Sequence, residues 1–245
     1  MAIKMHFQTY AYTNPGGRKN NEDSYAYKDG IWVLADGLGG HDCGEIASAA
    51  AADYTVEQLE QLNNNISEEN IIKVENETNQ YILELQKKKP AYSAMRTTLV
   101  FAVTDGDMLS YANVGDSRFY FFRGNQIIAQ SEDHSVSAAI AKMGEIRYDD
   151  IRFNEDRNRL LKVIGNDENL KIKSIPPQIK LQSGDAFLLC SDGFWEYVYE
   201  QEMIIDLSKS DTPDKWLSFM TKRLLLRTEN KNNDNFTAVC VMIGA

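Results

Sequence analysis

Apolar, strand-like runs open this chain, two long helical segments interrupt them, and more strands, a late helix and a last strand follow. That order constrains the fold more than any other feature. Residues 5–12 and 23–28, rich in Phe, Tyr and Thr, read as strands around a turn-rich loop, Thr13-Asn14-Pro15-Gly16-Gly17-Arg18-Lys19-Asn20-Asn21. Residues 31–36 form a short apolar run of the central-strand kind. Residues 43–62 carry Ile46, Ala49, Ala50, Leu59 and Leu62 at near-helical spacing, and residues 68–88 carry Ile71, Val74, Thr78, Tyr81, Ile82 and Leu85. Asn64 and Asn65 mark the loop between them, and Ser67 is the expected N-cap. Lys87, Lys88 and Lys89 suit the negative end of the second helix, which Pro90 stops.

The middle of the chain is strand-rich, with runs at 97–103, 108–114, 118–123 and 126–129. Asp105-Gly106 and Gly124-Asn125 supply tight hairpin turns between them. A short helix is expected over 135–142 and a mobile polar flap over 143–160. Strands resume near 171–175 and 185–190. Asp211-Thr212-Pro213 opens a helix with Trp216, Phe219, Met220, Leu224 and Leu225 as its buried stripe, and 236–243 is the final strand. This is not the regular alternation of a doubly wound parallel sheet. An α+β fold fits, with antiparallel sheets carrying helices on their outer faces. No repeat or linker divides residues 1–245, so a single domain is expected.

Four acids stand out against this frame. Asp36 and Asp192 end apolar runs, Asp116 sits between two strands, and Asp234 just precedes the last one. A carboxylate at a buried strand end is costly unless it is paired or binds a cation. No matching set of Lys or Arg lies beside these four. Hard divalent ions held by oxygen ligands are the chemistry they suggest. Three of them alone also have a plainer reading: a tight turn at Asp36-Gly37, a helix cap at Asp192, a turn at Asp234.

The 245 residues carry a net charge of −10 and are 43% hydrophobic, enough for a substantial core. The acidic balance argues against nucleic-acid backbones and anionic membranes as partners. No apolar stretch approaches a membrane span, and Met1-Ala2-Ile3-Lys4-Met5-His6 lacks an apolar signal core. Cys43, Cys190 and Cys240 are odd in number and far apart, so buried reduced thiols in a cytoplasmic protein are expected, not a zinc site. Gly37-Leu38-Gly39-Gly40 fails the dinucleotide fingerprint, because Asp42 stands where its third Gly belongs. A cation between Asp36 and a phosphate would remove the repulsion at the head of that loop, and Gly37 would let the backbone approach as a carbonyl ligand. Arg18 could hold a phosphate with its guanidinium fork, or be an ordinary surface Arg.

Taken in order, these motifs resemble the metal-dependent protein phosphatases of type 2C, the PPM family. The pattern Arg-x-x-Asn-Glu-Asp is found at Arg18–Asp23, Asp-Gly-x-Gly-Gly-His-x-x-Gly-Glu-x-Ala-Ser at Asp36–Ser48, and Gly-Asp-Ser-Arg at Gly115–Arg118. Asp-His-Ser is at Asp133–Ser135, Ser-Asp-Gly at Ser191–Gly193 and Asp-Asn at Asp234-Asn235. Single motifs of this kind are weak, but six in order with family-like spacing are strong. The Gly-Gly-His form looks most like the compact bacterial branch.

The resemblance implies a four-layer α-β-β-α sandwich with two Mn²⁺ or Mg²⁺ ions between its sheets. It implies that Asp36 bridges both ions, that Asp192 and Asp234 complete one, and that the Gly37 carbonyl serves the other. Glu22 and Asp23 would orient bound waters, Asp116 with Asp192 would hold a weaker third ion, and Arg18 would clamp the substrate phosphate. Phosphate monoesters hydrolyse extremely slowly unaided. A water bridging two cations is acidic enough to attack near neutral pH, without a covalent intermediate. Animal members place a His two residues after the bridging Asp; here that position is Leu38, and His41 is expected to be structural. His134 is expected to serve a helix entry. The implied substrates are phosphoserine and phosphothreonine proteins, the implied counterpart a Ser/Thr kinase, and the implied state a cytoplasmic monomer. The alternative is the same fold used as a catalytically silent binding module.

Overall fold

The computed structural model describes residues 5–38, 43–63, 65–166 and 178–244. Its strands are β1 (His6–Asn14), β2 (Asp23–Lys28), β3 (Ile31–Leu38), β4 (Arg96–Thr97), β5 (Leu99–Asp105) and β6 (Met108–Val114). They continue with β7 (Arg118–Arg123), β8 (Gln126–Gln130), β9 (Gln178–Lys180), β10 (Ala186–Cys190) and β11 (Phe236–Gly244). The helices are α1 (Gly44–Gln61), α2 (Glu68–Lys88), α3 (Val136–Lys142), α4 (Asp192–Trp195), α5 (Glu200–Ser208) and α6 (Pro213–Thr228). One sheet runs β1-β11-β10-β7-β8 and the other β2-β3-β5-β6-β9, with β4 on the end of β3. Every named pairing is antiparallel.

The α+β sandwich follows from which faces are apolar. β3, β5, β7, β10 and β11 are buried almost throughout, so they need cover on both sides. Between the sheets lie Trp32, Leu34, Val100, Phe119, Phe121, Phe187, Leu189 and Val239. Trp32 meets Phe187 edge-on with centroids 4.8 Å apart, and its indole N–H donates to Thr9 Oγ1 at 2.8 Å. Burying each such side chain contributes about 1.5–3 kcal/mol. Helices α1 and α2 cover the outer face of the β3-β5 sheet. Helices α5 and α6 cover the outer face of the β10-β11 sheet.

Ser67 caps α2, accepting from the Asn70 amide at 3.3 Å, and the expected hairpin glycines Gly106 and Gly124 take positive φ. Two helical stripes differ from expectation. In α1 the buried face is Ala47, Ala51, Ala52, Thr55 and Leu59, while Ile46 and Leu62 are half-buried and Ala49 is exposed. Small residues let this helix lie close on the sheet, which outweighs the larger side chains beside it. In α6 the stripe runs through Trp216, Leu217, Met220, Thr221 and Leu224. It lies on the Leu217 side of Trp216, so Phe219 and Leu225 point outward at 42% and 48% exposure. Helix α5 has no counterpart in the sequence reading, because its run Glu200-Gln-Glu-Met-Ile-Ile-Asp-Leu-Ser buries only Met203 and Asp206. The expectations at Asn64, His41 and 171–175 lie outside the described residues.

The segment 143–160 is pinned at its centre. Ile151 and Arg152, in a 3-10 turn at Tyr148–Phe153, are buried, and Arg152 donates to the Trp195 and Val198 carbonyls and the Glu200 carboxylate. Its exposed parts lie on either side of that anchor.

Candidate active site

Antiparallel pairing brings the distant acids together. The C-terminal ends of β3, β6 and β10 and the beginnings of β2, β7 and β11 fall at one end of the sandwich. Asp23 sits opposite Asp36 in register, Arg118 opposite Cys190, and Cys190 opposite Ala238. There a cavity of about 400 Å³ opens. Its wall carries Arg18, Glu22, Asp36, Gly37, Leu38, Asp116, Asp192 and Asp234, drawn from segments more than 200 residues apart in sequence.

Local bonds hold the backbone around Asp36 and leave its carboxylate to the cavity. The Asp36 amide donates to Thr98 Oγ1 at 2.9 Å, and its carbonyl accepts from the Thr98 amide and the Thr97 hydroxyl. Thr98 Oγ1 also lies 2.7 Å from Ser117 Oγ, which ties the Asp36 strand to the residue after Asp116. The Gly37 amide donates to the Glu22 carbonyl at 3.0 Å. A Cβ at residue 37 would lie 2.2 Å from the Gly44 carbonyl oxygen, so only glycine fits this approach. Asn235 accepts from the Glu22 amide through Oδ1 and donates through Nδ2 to the Pro15 and Asn20 carbonyls, each at 2.8 to 2.9 Å. This fixes the Arg18 loop against the start of β11.

The charges are badly matched. Burial raises the Asp36 carboxyl well above the usual carboxylate range, and the neighbouring Asp23, Asp192, Asp116 and Asp234 add to it. Asp192 is raised well above that range too, by burial first and then by Asp116, Glu196 and Asp234. Burial, with Asp133 behind it, pushes Asp116 up to about 7. Arg18 Nη2 donates to Asp234 Oδ2 at 2.9 Å, but both side chains are about half exposed, so that pair offsets little of the repulsion.

Asp23 lies beneath the cavity and does not form part of its wall. It is 8% exposed; Ser191 Oγ donates to one oxygen at 2.8 Å, the other has no hydrogen-bond partner among the described residues, and burial raises it to about 6. His134 also sits behind the wall. Its Nδ1 accepts from the Gly115 amide at 3.4 Å, and burial lowers it to about 4, so it is a neutral prop for the Asp116 loop. Asn158 and Leu160, just past the pinned turn, reach the wall as well. Sequence reasoning put them only inside a polar segment and gave no signal for their contact with the acids.

Among the described residues, no three His, Cys, Asp or Glu side chains form a closed ligand set around one point; the acids ring the cavity instead. The donor set nevertheless fits hard divalent cations. It is all oxygen and its members repel one another, and the orphaned oxygen of Asp23 lies beneath it.

Comparison with known proteins agrees with this geometry. The protein phosphatase 2C family profile matches residues 17–237. A serine/threonine phosphatase stp of Listeria welshimeri is 31% identical over 91% of this chain and 90% of its own length. The crystal structure of the serine/threonine phosphatase Stp1 from Staphylococcus aureus superposes with a TM-score of 0.78 at 28% identity, over 100% of this chain and 98% of that one. The catalytic domain of PstP, solved in complex with two manganese ions, shares the fold with a TM-score of 0.79 at 24% identity, over 98% of this chain and 100% of that one.

Proposed function

Because this chain belongs to the protein phosphatase 2C family, we propose that it hydrolyses phosphoserine and phosphothreonine on phosphoproteins, with divalent cations bound among its cavity acids. The observation that carries this reading is the convergence of Arg18 and the four mutually repelling acids on one cavity wall. All four acids are present there, which a silent binding module would not require.

Asp36, Asp192, Asp234 and the Gly37 carbonyl would hold two Mn²⁺ or Mg²⁺ ions, and Asp116 with Asp192 a weaker third. The bound ions would supply an acidified water and neutralise charge on the phosphoryl oxygens. Arg18, half exposed at the cavity mouth, binds two phosphoryl oxygens through its fork and so turns away from Asp234. Glu22 and Asp23 orient water below the acids. Hydrolysis would exchange the seryl or threonyl P–O bond for a bond from phosphorus to a water oxygen, with one proton of that water passing to solvent, giving inorganic phosphate and the free hydroxyl. Leu38, on the cavity wall, has no proton to give, so the departing alkoxide takes its proton from solvent in the cavity.

The protein would act as one catalytic domain and a cytoplasmic monomer, opposite a Ser/Thr kinase. Its three buried free thiols suit that compartment, and no described helix is long and apolar enough to cross a membrane. The test is phosphate release from a phosphoserine peptide with and without Mn²⁺. Release should depend on the ion and fall by at least a hundredfold in Asp192→Ala. Full activity in that variant, or without a divalent ion, refutes the assignment.

A further inference from the structure

Asp116 and Asp192 line the same cavity wall, yet they stand on separate loops: Asp116 between β6 and β7, Asp192 at the start of α4. A direct link between the two loops sets the spacing of these acids. The Trp195 indole does so. It lies three residues after Asp192, and its Nε1–H donates to the Asp116 backbone carbonyl at 2.9 Å in a fully buried bond. The ring itself cannot swing. The Arg118 guanidinium lies 3.5 Å from its centroid and is locked by a two-point bond to Asp133, at 2.8 and 2.7 Å. The Trp195 carbonyl also accepts from Arg152, in the pinned turn of the 143–160 segment.

We infer that Trp195 is a positioning residue that fixes the spacing of Asp116 and Asp192, and thereby the affinity of the weaker cation site they form. This rests on the reading that these two acids hold an ion. Packing alone does not need the N–H: at 1% exposure a Phe would fill most of the same space and keep the stacked Arg118. The N–H matters only as the link between the two loops.

The test compares Mn²⁺ titrations, by calorimetry, of the wild-type protein, Trp195→Phe and Asp116→Asn. Losing one buried hydrogen bond should weaken the weakest class of Mn²⁺ sites about five- to tenfold in Trp195→Phe and leave the tighter class unchanged. Asp116→Asn should abolish that same class, and the double variant should bind as Asp116→Asn does. A Trp195→Phe isotherm superimposing on wild type, while Asp116→Asn loses the weak class, overturns the positioning role. An unchanged Asp116→Asn isotherm overturns the third-ion reading beneath it. If Trp195→Phe does not fold, 3-benzothienylalanine at position 195 replaces only the N–H by sulfur, and the same two outcomes apply.

Discussion

Glu75 provides a quantitative test of the helix layer, far from the proposed chemistry. Its side chain, on α2, is 0% exposed, and neither carboxylate oxygen has a hydrogen-bond partner among the described residues. Burial raises its pKa from 4.5 to about 8, with Lys162 pulling weakly the other way. The folded-state pKa lies above the unfolded one, so the folded protein binds this proton more tightly. The cost is therefore absent below about pH 4.5, grows as pH rises, and is complete above about pH 8. The full shift, 8 − 4.5, corresponds to about 5 kcal/mol at 1.36 kcal/mol per unit. Between pH 5 and pH 9 it amounts to roughly 4 kcal/mol. Glu75→Gln never ionises, so its stability relative to wild type should improve by that amount across the interval. Urea unfolding at pH 5 and pH 9 measures this, with the site acids common to both proteins cancelling in the difference. A gap between variant and wild type that is the same at both pH values would refute the claim that Glu75 is buried without a partner.

Other consequences concern the site. Gly37→Ala places a methyl 2.2 Å from the Gly44 carbonyl oxygen, so phosphatase activity should fall at least tenfold while the melting temperature drops by only a few degrees. In chelator, the raised carboxyls of Asp23 and Asp116, at about 6 and about 7, make the folded protein the tighter proton binder. Its stability should then fall as pH rises from about 4 to about 7, and added Mn²⁺ should restore it; thermal melts that rise with pH in chelator would contradict the charge crowding. Arg18→Ala should raise KM for a phosphopeptide more than tenfold with a smaller loss in kcat, because it removes a half-exposed phosphate contact. Asn158→Ala and Leu160→Ala should reorder kcat/KM across a panel of phosphopeptides, and an unchanged ranking would remove the 143–160 segment from substrate choice.

Much of this was legible in the sequence because strand periodicity and buried acids are local signals. Val33-Leu34-Ala35-Asp36 and Leu188-Leu189-Cys190-Ser191-Asp192 each carry both the strand and its costly end, and the packing of the two sheets then brings those ends to one cavity. The α1 stripe was misplaced because alanine marks no face of a helix; what selects Ala47 and Ala51 is how closely the sheet approaches, which is a tertiary fact. Helix α5 was invisible because its polar face is held by ion pairs from α6, with Arg223 on Asp206 and Arg227 on Glu202. Trp195, Asn158 and Leu160 were missed for a related reason. An indole N–H finding a carbonyl 79 residues away has no sequence signature, and neither does a loop side chain bent onto a distant wall.

The Asn235 side chain has a consequence for how the protein is made. It bonds to Pro15, Asn20 and Glu22, so the loop bearing Arg18 is completed by a residue synthesised more than 200 positions later. During translation the β3-β5-β6 sheet can pair while the chain is still growing, but the Arg18 loop has no such partner until the start of β11 has left the ribosome. Hydrolytic competence therefore waits until Asn235 is free to close the Arg18 loop. A ribosome-bound chain arrested before Asn232 should pair its first sheet yet release no phosphate.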